Sequence, residues 1–212
     1  MKIAVFGASG MIGQRITQEA LARGHQVTAL GRHPEKVTAS HPNLTAQAAN
    51  ALDPASVAAA VAGQDVVVSA ISPNDQEPAV LVDSAHALLE GLERAGVKRL
   101  IVVGGAGSLE VAPGLQLVDS PQFPAAWRPG ALAHRDGLNV YRQTNSSVDW
   151  TYFSPANFIA PGARTGAYRT GAEQLVVDDK GESRISAEDY AVALVDEIET
   201  PRFTRQRFTA AY

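Results

Sequence analysis

The sequence predicts an open α/β fold: a doubly wound, mainly parallel sheet with helices on both faces. Three observations carry that expectation. A glycine-rich turn, Gly7-Ala8-Ser9-Gly10-Met11-Ile12-Gly13, joins an apolar run to a helical pattern near the N-terminus. Short β-branched runs then alternate with stretches of helical apolar period, the rhythm of right-handed βαβ crossovers. Asp65-Val66-Val67-Val68-Ser69-Ala70 is apolar at consecutive positions, as a strand covered on both faces must be.

The elements follow in order. Ile3 to Phe6 is a strand, and Gln14 to Arg23 a helix that ends before Gly24. Gln26 to Leu30 is a second strand, with Pro34 placed for a short helical turn. A weaker third strand covers Leu44 to Ala48. Asp53-Pro54 reads as helix cap and first helical residue, with the helix running to about Ala62 before Gly63. After the valine strand, Leu81, Val82, Ala85, Leu88, Leu89 and Leu92 share one face of a helix from Pro78 to Ala95, which Gly96 stops. Arg99 to Val103 is the fifth strand. The rhythm breaks over 104–130, a long glycine- and proline-containing loop. A helix near Ala131 to Ser146 and a strand from Val148 to Ser154 follow. Residues 155–181 are irregular again. Ser186-Ala187-Glu188-Asp189 opens a last helix, and Arg207 to Tyr212 closes the sheet.

The totals narrow the function. The 212 residues suit a single domain, 1–212, with substrate-side loops at about 104–130 and 155–185. A formal net charge of -4 argues against a nucleic-acid partner. No cysteine is present, so thiolate chemistry and cysteine metal sites are excluded. No apolar run reaches membrane-spanning length, and the first residues enter a strand at once, leaving no room for a signal peptide. A soluble, cytoplasmic protein is expected.

The glycine turn sits where a dinucleotide fingerprint must sit, between strand and helix. Gly7 permits a sharp turn, Gly10 a close backbone approach to a diphosphate, and Gly13 tight packing of the helix on the sheet. The helix start then offers unpaired N–H groups to the phosphates. An ordinary strand-to-helix turn is the plainer alternative for a lone glycine triplet. At the end of the second strand no acid stands between Val27 and Pro34 to bind a ribose hydroxyl; Arg32 and Lys36 stand there instead. A planar guanidinium suits a 2′-phosphate, so NADP(H) is expected over NAD(H). A solvated arginine stacking on adenine is the other reading.

Further candidates lie at the remaining strand ends. Asn50 either touches the adenine or caps its own turn. Ala70 and Ile71 would line the ribose wall, and Pro155, Ala156 and Asn157 the nicotinamide face. Ser108 either reaches the nicotinamide or substrate, or serves as a turn residue after three glycines. Among the five histidines only His134 lies near the variable half of the pocket, and as a surface residue it needs no role. Tyr141 has Asn145, not lysine, four positions on, so the tyrosine–lysine proton donor is missing and Tyr141 reads as packing. Arg164, Tyr168 and Arg169 place two cations and an aromatic in a loop that suits a flat or anionic substrate, or simply solvent.

With these residues in view, the chain resembles the atypical short-chain dehydrogenase/reductase superfamily. More narrowly, it is similar to the bacterial NAD(P)H-binding NADH-flavin reductase group, related to biliverdin reductase B and NmrA-like proteins. The matching pieces are Gly7 to Gly13, Asp65 to Ala70, Leu100 to Leu109, Asp149 to Tyr152 with Ser154-Pro155, Gly162 to Tyr168, and Ser183 to Ser186 with Asp189-Tyr190-Ala191. The resemblance implies a Rossmann-type fold and hydride transfer from NADP(H), or NAD(H), to a flavin, quinone or similar planar acceptor, the flavin being a substrate and not a prosthetic group. It implies Gly7, Ser9, Gly10, Met11, Ile12 and Arg32 as cofactor residues, with Ala70 and Gly104 nearby. Some relatives only bind the nucleotide and act as non-catalytic redox sensors. The tyrosine–lysine pair is absent, and Asn157 stands where the biliverdin reductase B relatives carry histidine. Hydride transfer to a flavin tolerates both departures, because solvent can supply the proton. Ser108 and Asn157 would then be polar contacts. Monomer and homodimer both remain open.

Overall fold

The computed structural model describes residues 1–73 and 79–212. In chain order its elements are β1 (Lys2–Phe6), α1 (Met11–Ala22), β2 (Gln26–Gly31), β3 (Leu44–Ala48), α2 (Pro54–Val61) and β4 (Val66–Ser69). Then come α3 (Val80–Ala95), β5 (Arg99–Val103), β6 (Glu110–Ala112), β7 (Leu115–Gln116), α4 (Arg128–Gln143) and β8 (Asp149–Ser154). The chain ends with β9 (Phe158–Ala160), β10 (Arg169–Gly171), β11 (Arg184–Ser186), α5 (Ala187–Glu199) and β12 (Gln206–Ala211).

Among the described residues, eight strands form one sheet in the order β3-β2-β1-β4-β5-β8-β12-β10. Seven run parallel, and β10 pairs antiparallel with β12 at the edge. The strand order reverses between β1 and β4. There the chain turns from building outward toward β3 to building outward toward β12. Such a reversal leaves a crevice beyond the carboxyl ends of the two strands. Alternate residues of each strand feed two cores. Ile3, Val5, Val68 and Phe153 pack under α1 and α5; Ala4, Phe6, Val67, Leu100 and Tyr152 pack under α2, α3 and α4. Phe153 lies between Tyr190 and Phe208 with 4.0 Å between ring centroids on each side. Burial of each such ring is worth roughly 1.5–3 kcal/mol.

Local signals place the elements as expected, with differences at some ends. Asp53 accepts from the Ala55 N–H to cap α2, and Ser186 accepts from Asp189 to cap α5. Gly24, Gly63 and Gly96 all adopt positive φ at helix ends. Helix α1 starts three residues before the expected Gln14, because Gln14 is the first residue whose N–H bonds back, to Gly10. Helix α4 also starts early, at Arg128, with Pro129 in its first turn. The expected start of α3 at Pro78 lies outside the described residues. Inside the irregular regions the short strands β6, β7, β9, β10 and β11 have no local period. Their partners are distant in sequence for β9 with β11 and β10 with β12, so pattern reading misses them.

One buried ion pair ties the far end of the sheet together. Glu197, fully buried, accepts from Arg99 at 2.7 Å and from the N–H groups of Arg202 and Phe203. It thereby joins α5, β5 and the approach to β12. Removing one partner leaves the other charge uncompensated in the interior. Glu197→Ala is expected to lower unfolding stability by about 3–5 kcal/mol in urea titration, and a loss under 1 kcal/mol would contradict this role.

Candidate functional site

A cleft of about 330 Å³ opens beyond the strand ends at the β1–β4 reversal. It brings together Gly7, Ser9 and Gly10 of the turn, Arg32 and Lys36 after β2, Asn50 after β3, and Ala70 and Ile71 after β4. These are predicted positions separated by as much as 64 residues, from Gly7 to Ile71.

The three glycines of the turn have different reasons to be glycine. Gly7 has φ +78, and a Cβ there would sit 2.4 Å from the Ala70 carbonyl oxygen. A Cβ on Gly13 would sit 2.1 Å from the Gly7 carbonyl oxygen. Both are forbidden by the protein's own backbone. Gly10 differs: its φ is an ordinary -76, it is exposed, and a Cβ would meet the Gly7 oxygen at a tolerable 3.4 Å. Nothing inside the fold demands glycine there. A bare surface at Gly10 matters only to something approaching from the cleft.

The helix behind it is built to receive that approach. Gly10 is the cap residue of α1 and has no side chain to bond the first-turn N–H groups. Helices α2 and α5 are closed by Asp53 and Ser186, whereas α1 presents its positive end to the cleft. No acidic side chain occupies its first turn. Ser9 and Met11 are exposed, Met11 at 42 %, while Ile12 turns inward against the core. Ile12 therefore offers its backbone alone. Asn50 caps its own turn, its Oδ1 accepting from Leu52, and still lines the cleft. Among the described residues no histidine, aspartate and glutamate cluster could hold a metal.

The predicted residues of the other half do not join that cleft. Gly104 is buried; its Cβ would strike the Tyr152 ring at 2.1 Å, so packing requires this glycine. Ser108 is only 3 % exposed and accepts a 2.9 Å hydrogen bond from Arg207. That interior anchorage corrects the picture of Ser108 as a residue facing the substrate. Pro155 is buried, and Asn157 is exposed, with its N–H donated to Ser183 Oγ at 3.1 Å.

Arg207, which sequence reading missed, pins both loops. Its guanidinium reaches Ser108 in the first and the Glu173 carboxylate in the second. Burial lowers the Arg207 pKa, and the Glu173 carboxylate opposes that fall. Burial works to raise Glu173, but Arg207 and Arg142 outweigh it and hold its carboxyl below the ordinary range. A backbone bridge between Glu110 and Gln174 fastens the same two loops. No local pattern around Arg207 marks it, since a charged residue in an edge-like strand ordinarily faces water.

The cations of the second loop are also engaged. Arg164 makes two 2.7 Å bonds to Glu19, and Tyr168 donates to Asp196. Arg169 donates to the Val177 and Tyr212 carbonyls. These contacts replace the expectation of a loop held out for a flat or anionic substrate. Asp189 receives Thr165, Gly166 and Tyr212, which fixes the loop on α5. Tyr141 packs as expected, 3 % exposed against Trp150 and Tyr152. His134 is not a plain surface residue. Its Nδ1 lies 3.3 Å from Tyr152 Oη, its ring lies against Gly105, and burial pushes its pKa down to about 4.

The three glycines separate in a test. Gly13→Ala is expected to cost about 1–3 kcal/mol of stability through overpacking. Gly10→Ala should unfold within about 0.5 kcal/mol of the parent yet lose at least about tenfold in dinucleotide affinity, because one lost charge-assisted contact is worth that much. Thermal melts and calorimetric titration read the two effects; equal behaviour of the two variants would contradict the assignment.

The chain has clear relatives. Sequence comparison matches residues 7–201 to a family described as NAD(P)H-binding. A solved structure from Burkholderia pseudomallei, provisionally named an exported protein, is 59% identical with TM-score 0.91, covering 100% of both chains. A provisionally named epimerase from Bacteroides thetaiotaomicron is 42% identical with TM-score 0.92, over 100% of this chain and 96% of its own. A provisionally named NADH-flavin reductase from Streptococcus pneumoniae is 32% identical with TM-score 0.85, over 100% and 99%. No described helix is long and apolar enough to cross a membrane. With a family match over nearly its whole length and a mostly parallel sheet of the Rossmann type, the chain belongs to the NAD(P)H-binding family.

Proposed function

We propose that the protein is an NADPH-preferring oxidoreductase that delivers hydride to a flavin, quinone or similar planar acceptor. The observation that carries this reading is the open end of α1 beside a glycine free of internal constraint, in one cleft with Arg32 and Lys36. The residues present fit a dinucleotide. The N–H groups of Met11 and Ile12 would hold the diphosphate, assisted by the helix dipole. Arg32 and Lys36 would meet a 2′-phosphate, and Ala70 and Ile71 would flank the ribose.

A bound NADPH supplies the hydride, and solvent supplies the proton that a reduced flavin also takes up. The protein's part is to orient and to exclude water. Gly104 and Pro155 close the strand ends on which the reactive ring would rest. Arg207 holds the two loops in register through Ser108 and Glu173. Asn157 remains the exposed polar group at the end of β8 and serves as a contact to the ring or acceptor. Ser108 acts through Arg207 as a structural residue. The reductase relative supports the acceptor class. An epimerase chemistry, which the Bacteroides relative's name raises, needs a reactive tyrosine–lysine pair. Tyr141 is sealed in the core, with Asn145 four positions on. The cytoplasm, where NADPH is regenerated, suits the reaction, carried out by a monomer or homodimer.

Two measurements test this. Purified protein with NADPH and FMN, riboflavin or a small quinone is expected to consume NADPH above background. No oxidation with any of them would remove the reductase reading and leave a non-catalytic nucleotide sensor. Arg32→Ala should lower the NADP/NAD affinity ratio by about 10- to 100-fold, the scale of a lost charged hydrogen-bond pair. An unchanged ratio would show that Arg32 does not read the phosphate.

A further inference from the structure

The small sheet of β9 and β11 has two unlike faces. Its register sets Ile159 beside Ile185, and both pack on the core under α1 and α5. Phe158 pairs with Arg184 and Ala160 with Ser186, so these four side chains share the opposite face. On that side lies a groove of about 580 Å³, walled by the sheet, by residues of the 161–167 loop and by Tyr212. Its size is that of a small-molecule site. Phe158 stands in the wall 61 % exposed.

The hydroxyls of the wall are already committed. Thr165 Oγ1 donates to Asp189 at 2.6 Å, Ser186 Oγ to the Ala163 carbonyl at 2.7 Å, and Tyr212 Oη to Asp189 at 2.8 Å. The surface left for a ligand is mainly carbon, with an open aromatic ring. Among the described residues Arg184 is the one charged side chain of the wall. Arg164 and Arg169 nearby are engaged with Glu19 and with backbone carbonyls. Arg184 is not so held. Glu182 stands 3.5 Å away and Asp178 3.9 Å away, and its guanidinium makes no hydrogen bond among the described residues. Exposed pairs of that kind are weak, so the planar fork remains available to a ligand anion.

The groove lies on the edge of the main sheet where ligands gather. Ser154 at the end of β8 pairs with Thr209 of β12; Phe158 and Tyr212 follow these residues and lie beyond the carboxyl ends of the two strands. The wall is also braced to the gripping turn. Glu188 accepts from the Gly162 N–H at 2.7 Å and from Arg15 at 2.6 Å, and Arg15 donates to the Met11 carbonyl in the first turn of α1.

We propose that this groove is the acceptor site and that it selects planar aromatic acceptors carrying an anionic group, the rings against Phe158 and Ala160 and the anion on Arg184. The inference rests on the reductase reading above and narrows its substrate class. A neutral quinone would use the carbon wall alone. A carboxylate or sulfonate beside the rings would add a charge-assisted hydrogen bond.

The test uses 8-anilinonaphthalene-1-sulfonate and its neutral counterpart N-phenyl-1-naphthylamine, whose fluorescence rises in apolar surroundings. Each is titrated into the NADP⁺-saturated protein, which keeps the probes out of the cofactor cleft. Arg184→Ala is expected to weaken the sulfonate at least about tenfold and to leave the neutral probe unchanged. Arg184→Lys, which keeps the charge without the fork, should restore part of the loss. Phe158→Ala should weaken both probes about threefold or more, and NADP⁺ affinity should stay the same in all three variants. In the parent, 1,2-naphthoquinone-4-sulfonate should displace the bound sulfonate probe more effectively than menadione, a comparison that needs no variant. The ratio of kcat/KM for 1,2-naphthoquinone-4-sulfonate over menadione should fall in Arg184→Ala. No binding of the sulfonate probe, or equal loss of both probes in Arg184→Ala, overturns the proposal. So does a parent that sediments as a dimer and falls to monomer in Phe158→Ala, which would give the groove to a second copy of the chain. Should no acceptor consume NADPH while Arg184 still governs the sulfonate probe, the reductase reading fails and the groove stands as a site for aromatic anions. Should acceptors be reduced while Arg184→Ala alters neither binding nor the kcat/KM ratio, the groove assignment fails alone.

Discussion

The structure depends on how closely α1 approaches the ends of β1 and β4. Backbone meets backbone there, with no side chain between. A methyl group on Gly13 would collide with the Gly7 carbonyl, and one on Gly7 with the Ala70 carbonyl. This contact sets the helix low on the sheet and aims its free N–H groups into the crevice at the strand reversal. Were α1 farther off, the turn would relax, the cleft would lose its floor, and Arg32 and Ile71 would no longer border the same space. The anion-binding end of the helix is a consequence of packing. Gly10 is the part of the turn that packing leaves undetermined.

The opposite half of the molecule is held by charge rather than by close backbone contact. Arg207 joins Ser108 to Glu173, Arg164 clasps Glu19, and Asp189 gathers Thr165, Gly166 and Tyr212. In the two ion pairs the Arg207 guanidinium and the Glu19 carboxylate are the buried members, and removing the partner of either leaves a charge uncompensated in the interior. These contacts add polar ties to two long loops that also carry apolar anchors, Leu109 and Val118 among them. The result is a rim in which these ionisable groups are engaged across the two loops and the helices beside them.

Most of the sheet was legible because each major strand and helix carries its own signal. The continuous valines of β4, the Asp53-Pro54 start of α2 and the Ser186 cap of α5 act within a few residues. The cleft was legible for the same reason, since a parallel sheet sends its loops to one edge whatever their spacing in sequence. The rest was hidden where the cause is long-range. Three-residue strands such as β9 and β10 exist only because β11 and β12 lie beside them. Ser108 sits after three glycines and reads as a cleft residue, until Arg207, 99 positions on, is seen to hold it inside. Arg164 looks like a free cation until the fold delivers Glu19, 145 positions before it. The glycines of the 104–107 segment have a long-range cause too: Gly104, Gly105 and Gly107 are small to admit Tyr152, His134 and Ala131.

A crystal structure of the protein soaked with NADPH examines the gripping turn most directly. The phosphate oxygens of the diphosphate should lie within hydrogen-bonding distance of the Met11 and Ile12 N–H groups, with the 2′-phosphate against Arg32. Nucleotide density at any other place, or none at saturating concentration, would contradict the account at its root.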